Sequence, residues 1–248
     1  MLFSKEPPVL EEMFLRLQSL KSQFTSRREY EAAVRLIWSG IPEQVARERV
    51  SGSEIRDKDV YEFDPISLNV LRAKPIKIWE SVLSVAEEHI EKVLARSYSF
   101  LFYGANGSGK THSAIQFLCT AIESGYSGYY ISLRDLYLLF NEVSFKEHSQ
   151  TQADLLAFIS TVDVLVLDEV GKETLSGPVI SYVEDLLKTR STKPCSTIIC
   201  SNIQVHKKEF LTRYGNSVWD IIRGNYFVYH FSADGDFRKQ FRKTLDLS

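Results

Sequence analysis

The sequence of 248 residues predicts an α/β fold, in which helices cover both faces of a parallel β-sheet. The first observation is that short apolar segments alternate with amphipathic segments of helical periodicity between residues 99 and 202. Such alternation requires a parallel sheet, because each crossover helix returns the chain to a strand of the same direction. The second is composition, with 44% hydrophobic and 25% charged residues, which is ordinary for a globular protein that buries a large core.

Composition also excludes several classes of protein. The net charge of −2 excludes general electrostatic attraction to nucleic acid, so DNA contacts would require a local patch. No apolar run approaches the roughly 20 residues needed to span a bilayer. Residues 1–8 include a glutamate and two prolines, which is unlike a secretory signal, and we expect a cytoplasmic protein. Cys119, Cys195 and Cys200 are odd in number and scattered, which indicates buried thiols rather than a zinc site.

The first 50 residues predict short amphipathic helices. Residues 9–24 carry apolar side chains at helical intervals, and a second helix covers residues 29–38. The break at residues 39–42 places Pro42 at the start of a third helix that continues through Arg49. These helices either pack on the main core or form an arm that docks on a partner, and the sequence leaves both alternatives open.

A polar, turn-rich stretch at residues 51–65 predicts a linker or an irregular strap. We therefore divide the chain into an N-terminal helical, partner-docking region of residues 1–55 and a main domain of residues 56–248. At the start of the main domain, residues 75–95 predict an amphipathic helix that leads into the strand beginning at Ser99.

Residues 99–112 predict a strand, a glycine-rich loop and the start of a helix. Gly104, four intervening residues and then Gly109, Lys110 and Thr111 satisfy the G-x-x-x-x-G-K-[ST] spacing of a P-loop. In such a loop, backbone N–H groups and the positive end of the helix dipole hold a polyphosphate. The predicted nucleotide-binding residues are Gly104, Ala105, Asn106, Gly107, Ser108, Gly109, Lys110, Thr111 and His112.

Two of these side chains have specific predicted roles. Lys110 is expected to reach the β- and γ-phosphates of ATP, and the hydroxyl of Thr111 is expected to bind Mg²⁺. After this loop the strands and helices alternate, with helices at residues 111–124, 134–143 and 153–160 and a strand at residues 128–132.

A second part of the site is predicted where residues 162–169 form an apolar strand that ends in two carboxylates. Ligands bind at such strand ends in open α/β sheets. Asp168 is expected to hold Mg²⁺ through water, and Glu169 to polarise the attacking water. A helix at residues 176–190 and a strand at residues 197–202 follow, and Asn202 would contact the γ-phosphate or the hydrolytic water. This combination predicts hydrolysis of ATP to ADP and phosphate rather than transfer to a metabolite.

Four segments carry a resemblance to a known family: Gly-Ile-Pro at residues 40–42, Gly-Ser-Gly-Lys-Thr-His at 107–112, Val-Leu-Val-Leu-Asp-Glu-Val-Gly at 164–171, and the run at 186–202 that ends in Cys-Ser-Asn. They resemble the DnaC/DnaI-type bacterial helicase loaders and the IstB-type transposition ATPases, which are AAA+ proteins. The resemblance extends over roughly residues 40–238, and residues 216–231 are similar to the family's closing helix and strand.

The resemblance implies roles for further residues. Asn202 matches the sensor-1 position, and Arg223 lies in the helix that bears the family's arginine finger, which acts on a neighbouring subunit and implies oligomerisation. The family commonly has arginine where this chain has Ile221, so Arg213 is the alternative finger. The chain ends soon after residue 231, which implies that a complete C-terminal lid is absent and leaves Arg238 as a weak sensor-2 candidate.

The resemblance also implies partners. The leading hypothesis is an ATP-dependent loader that delivers a replicative DNA helicase onto DNA during replication initiation. ATP would control its oligomerisation, DNA binding and partner release. The alternatives are an IstB-like ATPase that binds duplex DNA and assists a transposase, and a nucleotide-gated adaptor in which hydrolysis is vestigial.

DNA contact has two candidate regions. Residues 134–148 correspond to the region where relatives bind DNA, although aromatic residues at this spacing also suit a core. The aromatic and basic candidates there are Tyr137, Phe140, Phe145 and Lys146. The basic C-terminal candidates are Lys207, Lys208, Arg213, Arg223, Arg238, Lys239, Arg242 and Lys243.

Overall fold

The computed structural model describes residues 26–52, 59–63, 74–78, 82–145, 150–171, 177–203 and 208–232. The elements within these ranges are α1 (Arg27–Trp38), α2 (Glu43–Val50), β1 (Asp59–Phe63), β2 (Ile76–Lys77), α3 (Ser84–Ala95), β3 (Ser99–Gly104), α4 (Lys110–Glu123), β4 (Gly128–Ser132), α5 (Leu133–Phe145), α6 (Gln150–Ile159), β5 (Val164–Val170), α7 (Gly177–Ser191), β6 (Ser196–Ser201), α8 (Lys208–Asn225) and β7 (Tyr226–Phe231).

The strands form one sheet in the order β2-β1-β7-β3-β6-β5-β4. The five strands from β7 to β4 are mutually parallel, and β1 pairs in the antiparallel direction with both β7 and β2. The predicted α/β class with a mostly parallel sheet is therefore confirmed. Because β6 lies between β3 and β5, the ends of three strands that carry predicted site residues are adjacent.

Each face of the sheet packs on four of the helices in the described ranges, as the alternation of side chains along β3 illustrates. Phe100 and Phe102 belong to the apolar cluster that includes residues of α1, α2, α3 and α4. Leu101 and Tyr103 point to the other face, into the cluster formed with α5, α6, α7 and α8. This period of two is what a strand buried on both faces requires.

Helices α1 and α2 pack on the main core. Leu36, Ile37, Ile41 and Ala46 belong to the same buried cluster as the strands of the sheet. Helix α1 begins after Ser26, whose hydroxyl accepts a hydrogen bond from the amide of Glu29 and so caps the first turn. The predicted helix at residues 9–24 and the residues considered for a lid lie outside the described residues, and the division at residue 55 stays a prediction.

Two sequence predictions in this part of the chain were wrong. Residues 59–63 form strand β1 rather than a strap, with Val60 buried opposite Phe231 of β7. Within the helix predicted for residues 75–95, Ile76 and Lys77 instead form strand β2 and pair with β1, whereas Ser84–Ala95 is α-helical as predicted. In both places, pairing with another strand satisfies the backbone, and local periodicity does not identify which strand that is.

Candidate nucleotide-binding site

The predicted site residues converge at the carboxyl ends of three adjacent strands. Strand β3 ends at Gly104, β6 ends at Ser201 directly before Asn202, and β5 carries Asp168 and Glu169. The parallel register brings these ends to the same edge of the sheet, where ligands of open α/β folds bind.

Backbone geometry explains the glycines of the loop between β3 and α4. Gly104 has φ +148°, and a Cβ there would lie 2.3 Å from the carbonyl oxygen of Phe231. Gly109 has φ +98° and directly precedes the first residue of α4. The loop therefore needs residues without side chains, and it ends at the N-terminus of a helix of 14 residues, whose dipole favours an anion.

The side chain of Lys110 lies inside this loop and is only 6% exposed. Its Nζ donates hydrogen bonds to the carbonyl oxygens of Gly104, at 2.9 Å, and Ala105, at 2.8 Å. A third, longer contact of 3.4 Å joins it to the Oγ of Ser108. The ammonium is thus held inside the loop whose N–H groups are predicted to surround a polyphosphate.

The two predicted Mg²⁺ residues are in contact, although 57 positions separate them in the sequence. The Oγ1 of Thr111 donates to the Oδ1 of Asp168 at 3.2 Å. Asp168 is 4% exposed, and its Oδ1 also accepts from the amide of Glu169 at 2.7 Å. Both donors are neutral, and a buried carboxylate beside a hydroxyl is the kind of hard oxygen pair that holds Mg²⁺ together with water. The residues therefore fit the metal.

A third contact of Asp168 involves a residue that the sequence analysis missed. The hydroxyl of Tyr130, on the neighbouring strand β4, donates to Oδ2 of Asp168 at 2.7 Å. Burial, followed by the charge of Asp168, raises the pKa of Tyr130, so the phenol stays protonated and donates. The available signal was a tyrosine within an apolar strand, because a buried phenol requires a polar partner.

Glu169 lies in a β-bulge. Leu167 is opposite Ile199 and Val170 is opposite Ser201, so Asp168 and Glu169 together face one residue of β6. Glu169 has φ +60°, a backbone conformation that residues other than glycine rarely adopt. Within the described ranges, Ser97 is the other non-glycine residue with positive φ. The bulge turns the half-buried Glu169 carboxylate out of the regular ladder.

The end of β6 is fastened to this bulge. The hydroxyl of Ser201 donates to the carbonyl oxygen of Val170 at 2.8 Å and accepts from the amide of Ile203 at 3.1 Å. Asn202 lies between these two residues and is half-buried. It therefore lies next to both the P-loop strand and the Glu169 bulge. His112 lies half-buried in the first turn of α4.

The two arginine-finger candidates lie in different places. Arg223 precedes β7, and the first residue of β7, Tyr226, is opposite Ser99, the first residue of β3. Arg223 therefore lies at the amino-terminal edge of the sheet, roughly 20 Å from the P-loop of the same chain. It pairs with Asp220 at 3.7 Å. Arg213 instead donates to the carbonyl oxygen of Gly171, directly after β5. The structure brings Arg213, but not Arg223, towards the chain's own site.

Some of the candidate DNA-contact residues belong to the core, and others lie outside the described residues. Tyr137 and Phe140 pack against the second apolar cluster, and Phe140 stacks on Tyr182 with 4.5 Å between ring centroids. Lys146, Lys207, Arg238, Lys239, Arg242 and Lys243 lie outside the described residues, and so do the side chains of Phe145 and Lys208.

In the described part of the chain, no helix is long and apolar enough to cross a membrane. Cys119, Cys195 and Cys200 are buried thiols, as predicted, and burial raises the pKa of Cys119 to about 12.

The fold and the site define a P-loop NTPase of the AAA+ type. The defining features are the glycine loop around a buried lysine, the contact between Thr111 and Asp168, and the strand β6 that lies between β3 and β5. The family model described as IstB-like ATP binding protein matches residues 91–213. This confirms the predicted family: the chain carries an IstB-like ATP-binding domain and is related to the DnaC helicase loaders.

Known relatives are similar over part of their length. The replicative helicase loader DnaC of Escherichia coli K12 is 28% identical over 149 residues, which are 57% of this chain and 60% of the relative. The IS5376 insertion-sequence protein of Geobacillus stearothermophilus is 30% identical over 43% of each chain. A crystal structure of the DnaC helicase loader superposes with a TM-score of 0.53 at 21% identity, covering 62% of this chain and 87% of that one, which supports the fold. The chain thus matches about three fifths of the length of the DnaC relatives.

Proposed function

We propose that the protein is an AAA+ ATPase that loads a replicative DNA helicase onto DNA during replication initiation. The observation that carries the ATPase part is the contact between Thr111 and Asp168 beside the Glu169 bulge, which joins the two halves of a Mg²⁺·ATP site. Similarity to DnaC supports the loader role.

The proposed hydrolysis divides the work among a few groups. The loop amides and Lys110 bind the phosphates and balance the charge that develops on the leaving group. Thr111, and Asp168 through water, would hold Mg²⁺, which when bound supplies positive charge that balances the phosphates. Glu169 orients water for in-line attack and accepts its proton. The amide of Asn202 aligns that water or the γ-phosphate, since β6 ends between the P-loop and Glu169.

The loader cycle requires contacts beyond one chain. Residues 1–55 would dock on the helicase, and ATP would drive assembly of a homo-oligomer in the cytoplasm in which Arg223 acts on the neighbouring subunit's nucleotide. Support comes from the position of Arg223 at the sheet edge opposite its own P-loop. Single-stranded DNA would bind to this oligomer, and hydrolysis would release the partner.

A second candidate is supported by the IstB-like family model and by the insertion-sequence relative. In this alternative the same ATPase binds duplex DNA and assists a transposase.

One set of measurements separates the two candidates. The intact protein is incubated with purified replicative helicase or with duplex DNA, each with ATP or ADP. A loader forms an ATP-dependent complex with the helicase and transfers it to single-stranded DNA. Cooperative, sequence-independent duplex binding in ATP, with no helicase complex, supports the transposition role. Absence of ATP turnover under both conditions contradicts the proposed ATPase activity and supports the adaptor hypothesis.

A further inference from the structure

The turn between α1 and α2 lies directly against β4, the last strand of the described sheet. The amide of Tyr130 donates to the carbonyl oxygen of Ser39 at 2.8 Å. Gly40 has φ +79°, and a Cβ on it would lie 2.1 Å from the carbonyl oxygen of Tyr130. The backbone of one β4 residue is thus held on its outer edge by the turn of the helical hairpin formed by α1 and α2.

The side chain of the same residue reaches the nucleotide site. Its hydroxyl donates to Oδ2 of Asp168, while Oδ1 accepts from Thr111 and from the amide of Glu169. Three donors from three elements therefore fix the rotation of this carboxylate, and Tyr130 is the one that approaches from the strand next to the hairpin.

We infer that Tyr130 is a positioning residue, which orients Asp168 for Mg²⁺ and links the α1–α2 hairpin to the metal site. This inference rests on the proposed Mg²⁺·ATP function. The physical reason is that a carboxylate that loses one of its fixed partners samples more orientations, and its affinity for the metal falls. Loss of such supporting contacts typically weakens metal binding or activity by about 10- to 100-fold.

The same contacts connect the α1–α2 hairpin to the nucleotide site. The hairpin lies in the proposed docking region of residues 1–55, so a partner that moves the Ser39–Gly40 turn moves Tyr130 and alters the orientation of Asp168. Because coupling is reciprocal, Mg²⁺·ATP would change the hairpin's contact with β4 by the same free energy.

The first experiment measures binding of a fluorescent ATP analogue by the full chain while Mg²⁺ is titrated from an EDTA baseline. Tyr130→Phe removes one hydroxyl and keeps the ring. Tyr129→Phe is the matched control, because Tyr129 is adjacent on β4 but packs into the opposite cluster, with its ring against Phe158. We expect Tyr130→Phe to raise the Mg²⁺ concentration at half-saturation by about tenfold and to leave affinity in EDTA unchanged. Tyr129→Phe should titrate like wild type.

The second experiment tests the link to the hairpin. Gly40→Ala adds a methyl group that meets the Tyr130 carbonyl, whereas Gly52→Ala, also at positive φ (+77°), meets no atom within 4 Å. Gly40→Ala should shift the Mg²⁺ titration by at least about fivefold, and Gly52→Ala should not. In the wild type, Mg²⁺·ATP should slow hydrogen exchange of the Tyr130 amide relative to ATP in EDTA, and Tyr130→Phe should abolish that difference.

The outcomes separate this inference from the function on which it rests. A wild-type protein that binds no ATP contradicts the proposed function itself. A wild type that binds ATP in a Mg²⁺-dependent way while Tyr130→Phe titrates identically, or Tyr129→Phe shifts equally, overturns the positioning role. Unchanged exchange of the Tyr130 amide on Mg²⁺·ATP binding overturns the link to the hairpin.

Discussion

Glu169 combines a half-buried carboxylate with a left-handed backbone conformation inside a β-bulge. Both features belong to the residue that we propose as the base. Strained conformations persist where the surrounding structure holds them, and here the bonds from Ser201 to Val170 and from Arg213 to Gly171 fasten the chain directly after the bulge. The cost of the conformation and the chemistry of the side chain can be tested separately.

The chemical role predicts a separation of binding from turnover. Glu169→Gln should bind ATP with wild-type affinity, and phosphate release should fall by about a hundredfold or more because the amide cannot accept the proton. Lys110→Ala should lose nucleotide binding itself. Glu88→Gln, at an exposed position on α3, is the control for the same chemical change and should leave phosphate release unaltered. Equal turnover of Glu169→Gln and wild type would remove Glu169 from the mechanism.

The backbone conformation predicts a difference between two variants that both lack the carboxylate. Glu169→Gly should be more stable than Glu169→Ala by about 1 kcal/mol, because glycine adopts φ +60° without a Cβ penalty and alanine does not. Denaturant unfolding without nucleotide measures this difference. Equal stability, or a more stable alanine variant, would show that the bulge relaxes when the side chain is removed.

At the scale of elements, Arg190 holds together segments that surround the amino-terminal edge of the sheet. This residue of α7 is 1% exposed, and its guanidinium donates to the carbonyl oxygens of Ile159, Val162 and Ser196 and to the hydroxyl of Thr197. It therefore joins α7 to the end of α6 and to the segments where β5 and β6 begin. Burial lowers the pKa of this guanidinium, and the four acceptors compensate for the lost hydration.

Replacing this buried cation should therefore lower the free energy of unfolding more than replacing an exposed cation on the same helix. Arg190→Met should lower the free energy of unfolding by about 3–5 kcal/mol, since it leaves three buried carbonyl oxygens without their donor. Lys188→Met removes an equal charge from an exposed position two residues earlier and should change stability by less than about 0.5 kcal/mol. Guanidinium unfolding curves measure both. Similar losses in the two variants would show that the hydrogen bonds of Arg190 contribute little.

Sequence reasoning identified features that are local in the chain. The P-loop from Gly104 to Thr111 is one continuous segment, and the carboxylates of β5 follow an apolar run. The contacts of Tyr130 and Arg190 were missed, because their acceptors belong to other elements and only the sheet order brings them together. Strand β1 was missed for a related reason: its five residues lie within the polar, turn-rich stretch 51–65, and its pairing with β7 spans most of the chain.

At the scale of the whole molecule, the position of the arginine finger determines whether one chain can hydrolyse ATP alone. Arg223 lies at the opposite sheet edge from its own P-loop, so as the proposed finger it would act on a neighbour's nucleotide, whereas Arg213 contacts Gly171 of its own chain. Turnover per chain should therefore rise with protein concentration, and Arg223→Ala should reduce it by about a hundredfold or more without loss of ATP binding.

Mixing two inactive variants identifies the finger. Arg223→Ala retains an intact P-loop, and Lys110→Ala retains an intact Arg223, so an interface between them is complete. An equimolar mixture should recover about a quarter of wild-type turnover, because random assembly forms that head-to-tail interface at this frequency. The matched mixture of Arg213→Ala with Lys110→Ala should stay inactive, since Arg213 and the nucleotide it supports lie on the same chain. Recovery only in the Arg213 mixture would make Arg213 the finger, and recovery in neither would mean that each chain works alone.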